Sequence, residues 1–424
     1  MEPDLRRPRL VVVGQGHAGL PLAVAAAAAG YDVVGYDVDA ARIARLRAGE
    51  SFVEDVPAAA LEAALSGGHY LPSADPDDCS GFEVAVIAVP TPLRDRTPDL
   101  SHIEAAARLI AGHVRPGVTV ILESTTYPGT TEELLAPALS EGSGLLAGVD
   151  FHLGYSPERV DPGNRRWTFA RIPKLVSGVN DTSLAAVRAF YDGLVDETVS
   201  VSGTREAELA KLLENTFRQV NIALVNELAM FAADLRIDLW EAIDAASTKP
   251  FGFMRFSPGP GVGGHCLPID PSYLSWRVEQ RLGSTFRFVE LANEINHRMP
   301  EYVVRRVVAA LERRHIPAGG CRVLLLGLAY KPNSGDARGS QGAAIARLLT
   351  ALGAEVRVCD PHVPASDVPA GIERVEPTAR ELSAADAVLL VTDHDAFDLD
   401  AIQAGAAFVF DTRHRVRGAN VEHL

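Results

Sequence analysis

The 424-residue sequence predicts an α/β protein with two doubly wound parallel-sheet domains joined by a central helical layer. Three observations carry that prediction. A strand, a glycine turn, a helix and a second strand follow one another from Arg9. The same order of elements returns from Arg322. Between them lies a long stretch of helical composition, rich in Glu, Ala, Leu and Lys. Alternation of short apolar runs with helical patterns is the mark of parallel sheets.

Residues 9–13 form an apolar run that ends in GQGHAG, and an alanine-rich helix follows to Gly30. A second strand, residues 32–36, closes on Asp37. Gly14, Gly16 and Gly19 have the G-x-G-x-x-G spacing of a Rossmann-like dinucleotide site. Gly14 permits the tight turn, Gly16 lets the backbone approach a pyrophosphate, and Gly19 packs helix on strand. The helix N-terminus then faces the anion. Asp37 stands where a carboxylate accepts from ribose hydroxyls and repels a 2′-phosphate, so NAD is expected rather than NADP. His17 and Ala18 inside the turn and Val38 beside Asp37 complete this part of the candidate cofactor set. Further buried-strand runs are expected at 84–89, 118–122 and 174–178, all in the parallel sheet. The turns Pro90-Thr91-Pro92 and Ser124-Thr125-Thr126 fall outside strand ends, where such sheets bind ligands. Pro90, Thr91 and Thr125 therefore join the cofactor candidates.

The chain is expected to be helical over 203–237, 239–246 and 285–314. These helices are too many for one crossover and read as a separate layer of the kind that forms dimer interfaces. Strands at 322–326, 355–359, 387–391 and 408–410, with a helix over 342–352, rebuild a Rossmann-like domain without the glycine fingerprint. The domain limits expected are 1–202, 203–300 and 301–424.

Composition narrows the function classes. Apolar content of 47% with 22% charged residues describes a globular chain. Its most apolar helix, from Leu20, is about half a bilayer span, and no apolar leader precedes the first strand. Membrane and nucleic-acid partners are not expected, the latter because the net charge is −15. Four well-separated cysteines, without C-x-x-C or zinc spacing, fit a reduced cytoplasmic enzyme with no metal.

Residues 259–270 read GPGVGGHCLPID. Glycines beside Cys266 would leave the thiol uncrowded, and Asp270, four residues on, is placed to handle protons or water. Read alone, Cys266 fits a small buried hydrophobe better than a nucleophile. Lys211 and Asn215, at i and i+4 on the long helix, share a face suited to an oxyanion, or else belong to a solvated surface. Glu158, in GYSPERVDPGN, is by itself only a loop acid.

Taken together, GQGHAG, VPTPL, ESTTYPGTTEE, GYSPERVDPGN, AKLLENTFRQVN, TKPFGFMRFSPGPGVGGHCLPIDP and GLAYKPNSGDARGS resemble, in order and spacing, the UDP-glucose/GDP-mannose dehydrogenase family. The likeness covers roughly residues 8 to 415. The wording is most similar to the bacterial UDP-N-acetylglucosamine and UDP-N-acetylmannosamine 6-dehydrogenase branch, and Pro162 stands where the UDP-glucose enzymes usually carry another acid. The resemblance implies a four-electron oxidation at C6 of a nucleotide sugar with two NAD. It implies Cys266 as nucleophile through a thiohemiacetal and a thioester, and Asp270 as partner of the hydrolytic water. Lys211 and Asn215 would stabilise the oxyanions, and Thr125 and Glu158 would organise the water. Glu158, Arg159, Lys211, Asn215, Gly263 and Lys331 are the expected substrate contacts. Arg42 and Arg338 are added to the cofactor set, and a homodimer through the central helices is implied. The alternatives are a TDP-glucose or other nucleotide-hexose substrate, a two-electron hydroxyacid dehydrogenase, and a catalytically silent NAD-binding regulator.

Overall fold

The computed structural model describes residues 7–94, 97–161, 164, 166–264 and 266–424, without the side chain of Cys266. The chain divides into two compact units, one of residues up to 214 with 276–282, the other of 215–275 with 283–424. The first division cuts the helix Thr204–Leu235, whereas the sequence placed a boundary before that helix.

The first unit holds β1 (Arg9–Val13), β2 (Asp32–Tyr36), β3 (Tyr70–Ser73), β4 (Val84–Ile87), a small hairpin β5 (Leu93–Arg94) and β6 (Thr97–Pro98), β7 (Thr119–Leu122), β8 (His152–Tyr155), β9 (Lys174–Gly178) and β10 (Thr198–Ser200). Eight of these strands form one sheet in the order β10-β9-β8-β7-β4-β1-β2-β3. Strands β1, β4 and β7 are buried throughout almost their whole length, as expected for a sheet covered on both faces. The helix Gly19–Ala28 buries eight of its ten residues against this sheet, and its alanines permit the close approach. Leu10, Val12, Leu20, Ile43, Val86 and Tyr191 are among the core residues.

One expectation is corrected here. β9 pairs with β8 antiparallel, so residues 174–178 do not continue the parallel sheet. No helix lies between Tyr155 and Lys174 among the described residues, and a parallel neighbour needs a crossover. β10 regains a parallel partner in β9 because the helix Asp181–Asp192 supplies one. The sequence also missed β3, which contains Pro72. Proline is tolerated there because β3 is an edge strand.

The second unit carries β11 (Arg322–Leu326), β12 (Glu355–Cys359), β13 (Glu373–Arg374), β14 (Ala387–Leu390), β15 (Val409–Asp411) and β16 (Val421–His423). They form an all-parallel sheet ordered β13-β12-β11-β14-β15-β16. The expected helices appear as Thr204–Leu235, Leu239–Ser247, Arg287–Glu312 and Gln341–Ala351. Met299, Val303, Val307 and Leu311 of Arg287–Glu312 join Val323, Leu325 and Phe410 in the core. One helix was not among those expected: Cys266 opens the helix Cys266–Leu282. Pro268 falls in its first turn, where the backbone N–H has no intrahelical acceptor to lose.

Candidate active site

The glycine turn after β1 meets its three geometric requirements. Gly14 has φ +96°, and a Cβ there would lie 2.5 Å from the Ala88 carbonyl oxygen. A Cβ on Gly19 would lie 1.8 Å from the Gly14 oxygen, so helix and turn touch only as glycines. A Cβ on Gly16 would meet nothing within 4 Å, which leaves the open approach a pyrophosphate needs. Asp37 is buried at the end of β2. Its Oδ2 accepts from Gln15 N and from Arg42 Nη1, both at 2.8 Å, and its Oδ1 from Asp39 N at 3.0 Å. Arg42, expected in the cofactor set, thus holds the Asp37 carboxylate. These residues fit a bound NAD: glycine cradle, helix N-terminus and oriented carboxylate lie at the ends of the adjacent parallel strands β1 and β2. Val38 stands exposed at the rim, Thr91 is buried and Pro90 is exposed. His17 is exposed and Ala18 is partly buried.

Gln15 escaped the sequence reading because the fingerprint leaves its position open. Its amide is buried, donates to Val12 O at 2.9 Å, and accepts from Tyr70 Oη at 2.7 Å. It ties the turn to β3.

Thr125 follows β7, and its neighbour Ser124 donates to Val89 O at 2.8 Å, joining the turns after β4 and β7. Glu123 is fully buried, and Lys174 Nζ donates both to it and, at 3.2 Å, to Pro157 O. Tyr191 adds a bond to Glu123 at 2.8 Å. Burial pushes the Glu123 carboxyl upward, while the Lys174 ammonium opposes that shift. The set joins the Thr125 turn to the segment that carries Glu158 and Arg159. Glu158 accepts from Val160 N, and Arg159 pairs with Glu214 at 2.7 Å and donates to Pro173 O at 2.6 Å.

Lys211 and Asn215 lie one turn apart on the long helix, as their spacing predicts. Asn215 is 6% exposed and donates through Nδ2 to Asp270 Oδ2 at 2.6 Å. Asp270 is itself buried and sits one helical turn beyond Cys266. The sequence had grouped Asn215 with Lys211 and Asp270 with Cys266; the hydrogen bond joins the two groups.

The glycines before Cys266 have a reason the sequence reading did not give. They were expected to leave the thiol uncrowded; at three of them, the place a side chain would take is filled by protein. A Cβ on Gly263 would lie 2.9 Å from Tyr330 Cβ, one on Gly264 2.8 Å from the Tyr330 ring, and one on Gly261 2.7 Å from Asn296 O. The loop is also tied down by Gly264 N to Arg338 O at 3.1 Å, Gln341 Nε2 to Val262 O at 2.7 Å and Gly259 N to Asn226 Oδ1 at 2.9 Å. Arg338 reaches the loop through its carbonyl while its side chain pairs with Asp336. The ammonium of Lys331 lies 6.0 Å from the Tyr330 ring centroid. Arg413 was missed altogether. It follows β15, donates to Val391 O at 2.6 Å, and places Nη1 3.0 Å from where a Gly259 Cβ would stand. Burial lowers its affinity for a proton, and Asp393 and Asp411 oppose that. The strand-end rule that singled out Thr125 would have found it.

The glycine cradle, the oriented Asp37 and the second parallel sheet define an NAD-dependent α/β dehydrogenase. Three family models match this chain: the NAD binding domain of the UDP-glucose/GDP-mannose dehydrogenase family over residues 8–195, its central domain over 205–298, and its UDP binding domain over 324–418. The chain belongs to the UDP-glucose/GDP-mannose dehydrogenase family. It is 39% identical to a UDP-N-acetyl-D-glucosamine 6-dehydrogenase of Pseudomonas aeruginosa, over 85% of this chain and 84% of the relative. It is 36% identical to a UDP-N-acetyl-D-mannosamine dehydrogenase of Pyrococcus horikoshii, over 92% and 90%. The solved structure of the Pyrococcus horikoshii UDP-D-ManNAc dehydrogenase superposes with a TM-score of 0.88, covering 98% of each chain at 33% identity. NAD is the cofactor, and a nucleotide sugar is the substrate class. Among the described residues, no helix is long and apolar enough to cross a membrane.

Proposed function

We propose that the protein oxidises the C6 primary alcohol of a UDP-linked N-acetylhexosamine to the carboxylate, in two steps and without releasing the aldehyde. The observation that carries this reading is the bond from Asn215 to Asp270, one helical turn beyond Cys266. Two-electron oxidation of an alcohol needs neither a thiol nor a buried carboxylate held beside it. NAD, when bound, takes up a hydride in each oxidation.

The chain's residues then have these roles. Cys266 adds its sulfur to the aldehyde carbon, forming a C–S bond and a thiohemiacetal whose oxidation leaves a thioester. Lys211 and Asn215 stabilise the oxyanion of each tetrahedral species. Asp270, fixed by Asn215, takes the proton of the water that breaks the C–S bond and frees the thiol. Thr125 and Glu158 orient that water. Arg159, Gly263 and Lys331 hold the nucleotide sugar, and Arg413 joins them toward its diphosphate. Arg338 and Arg42 serve NAD with Gly14, Gly16, Gly19 and Asp37. Labour divides among 1–202 for NAD, 203–300 for the cysteine and the dimer contact, and 301–424 for the nucleotide. The N-acetyl preference is supported by the names of the relatives; Pro162, which bears on it, lies outside the described residues. Widely spaced cysteines, with Cys79, Cys321 and Cys359 free and buried, support the reading of a cytoplasmic protein.

The test is coenzyme reduction across UDP-GlcNAc, UDP-ManNAc, UDP-glucose, TDP-glucose and GDP-mannose, with NAD and NADP in parallel. Two NADH per acid and best kcat/KM on a UDP-N-acetyl sugar are expected, with NAD preferred by at least about 10-fold because Asp37 would face the 2′-phosphate. One NADH per product would indicate a hydroxyacid-type enzyme, silence across the panel a regulator, and best turnover of TDP-glucose the other sugar-nucleotide class.

The dimer reading has its own support. Leu224, Leu228, Phe231 and Leu235 recur at spacings that place them on one helix face, and each is 43–68% exposed in the single chain. Light scattering is expected to give twice the chain mass, and Leu228→Lys with Phe231→Lys to shift it toward one. A wild-type protein of single-chain mass at micromolar concentration would remove the dimer.

A further inference from the structure

Glu208 is a buried carboxylate for which the chemistry above has no use. It lies on the long helix, one turn before Lys211. Its Oε2 accepts from Gly129 N at 2.6 Å, and its Oε1 accepts from Thr131 N at 2.9 Å and from Thr131 Oγ1 at 2.7 Å. Those donors open the helical segment that starts at Thr131, directly after the Thr125 turn. The first N–H groups of a helix lack intrahelical acceptors. Thr130, at the capping position, makes no capping bond, because its hydroxyl donates to Tyr127 O instead. Glu208 therefore supplies the cap from another helix, and a carboxylate is the favoured charge at that end. Gly129 has φ +103°, and a Cβ there would lie 2.9 Å from Glu133 Oε1, so the turn has little freedom to rearrange.

We propose that Glu208 is a positioning residue: its carboxylate locks the turn that carries Thr125 to the helix turn that carries Lys211. The proposal rests on the roles assigned above to Thr125 and Lys211. Its chemistry makes the lock sensitive to protons. Three donors converge on two oxygens, and an ionised carboxylate accepts at both. A proton on Oε2 would oppose the Gly129 N–H and undo that bond, leaving the two from Thr131. Burial pushes the Glu208 carboxyl up to about 7, the three hydrogen bonds oppose that, and Glu132 adds to it. Arg205, paired with Glu132 and Glu133, and Tyr127 are the other charged or titratable groups that interact with it.

Stability and activity should then respond to acid with opposite signs. A carboxyl whose folded value is raised from 4.5 to about 7 contributes stability that is complete below the lower value and lost as pH rises through the upper one. Acidification through pH 7 thus strengthens this group's share of folding while it loosens the lock. A residue that only holds the fold together would not lower kcat as it gained stability.

The experiment compares kcat, KM and melting temperature from pH 5.5 to 9 for wild type, Glu208→Gln and Thr131→Val. Wild-type kcat is expected to fall as pH drops through about 7. Glu208→Gln should lose about 10-fold in kcat at pH 8 with little change in KM, and lose that acid limb. Thr131→Val removes one donor to the ionised form, so its limb should move to higher pH. Wild-type kcat with the limb intact in Glu208→Gln would overturn the lock. If Glu208→Gln does not fold, Thr131→Val decides, and an unmoved midpoint overturns it. Lys211→Ala and Thr125→Val separate the two levels. Lowered kcat in both with Glu208→Gln unaffected overturns the lock alone; unchanged kcat in both overturns the underlying assignments and the lock with them.

Discussion

Cys266→Ala is expected to lose net conversion to acid by on the order of 10³-fold or more. The first oxidation does not require sulfur, so aldehyde formed in the variant has no thioester to pass through. Cys266→Ser is more diagnostic. Serine's oxygen can still add to the carbonyl, and the second oxidation would leave an ester in place of a thioester. An alkoxide departs far less readily than a thiolate, so that ester should persist. Intact-mass measurement after incubation with NAD and the nucleotide sugar should find the serine variant heavier by one sugar-nucleotide acyl unit. Two NADH and an acid product from Cys266→Ala at near wild-type rate would end the covalent mechanism.

The second large effect is expected at Lys211. Lys211→Ala should lower kcat by about 10²-fold while KM changes little, because an oxyanion forms only as the reaction proceeds. The ammonium is one turn from Asn215, whose amide is held by Asp270. Removing the lysine leaves that amide in place, so partial rather than complete loss is expected. Near wild-type kcat with a raised KM would make Lys211 a binding residue.

Much of this protein was legible in its linear sequence because the relevant physics is local. The turn Gly14 to Gly19 needs backbone freedom at fixed offsets, and those offsets are written in consecutive residues. Asp37 follows from the length of one β-α-β unit. The long helix could be bounded within a few residues because periodicity and the absence of proline act over one or two turns. Ordered motifs then grouped Cys266, Lys211 and Asn215 as candidates for one site.

Other features depended on which distant residues the folded chain brings together. Asn215 and Asp270 are 55 residues apart, and nothing near either one announces their bond. Glu208 reaches Gly129 and Thr131 across 79 and 77 residues, and Lys174 reaches Glu123 across 51. In each case a buried polar group must find a partner somewhere, but the sequence names only the need. Strand β9 reverses direction because, among the described residues, the segment before it holds no crossover helix, a matter of topology rather than strand propensity. The glycines before Cys266 are required by Tyr330 and Asn296 packed against them, so even their reason lies elsewhere in the chain. Local backbone preference and short-range periodicity thus settled the elements and the fingerprint, while long-range burial chose the partners that position the chemistry.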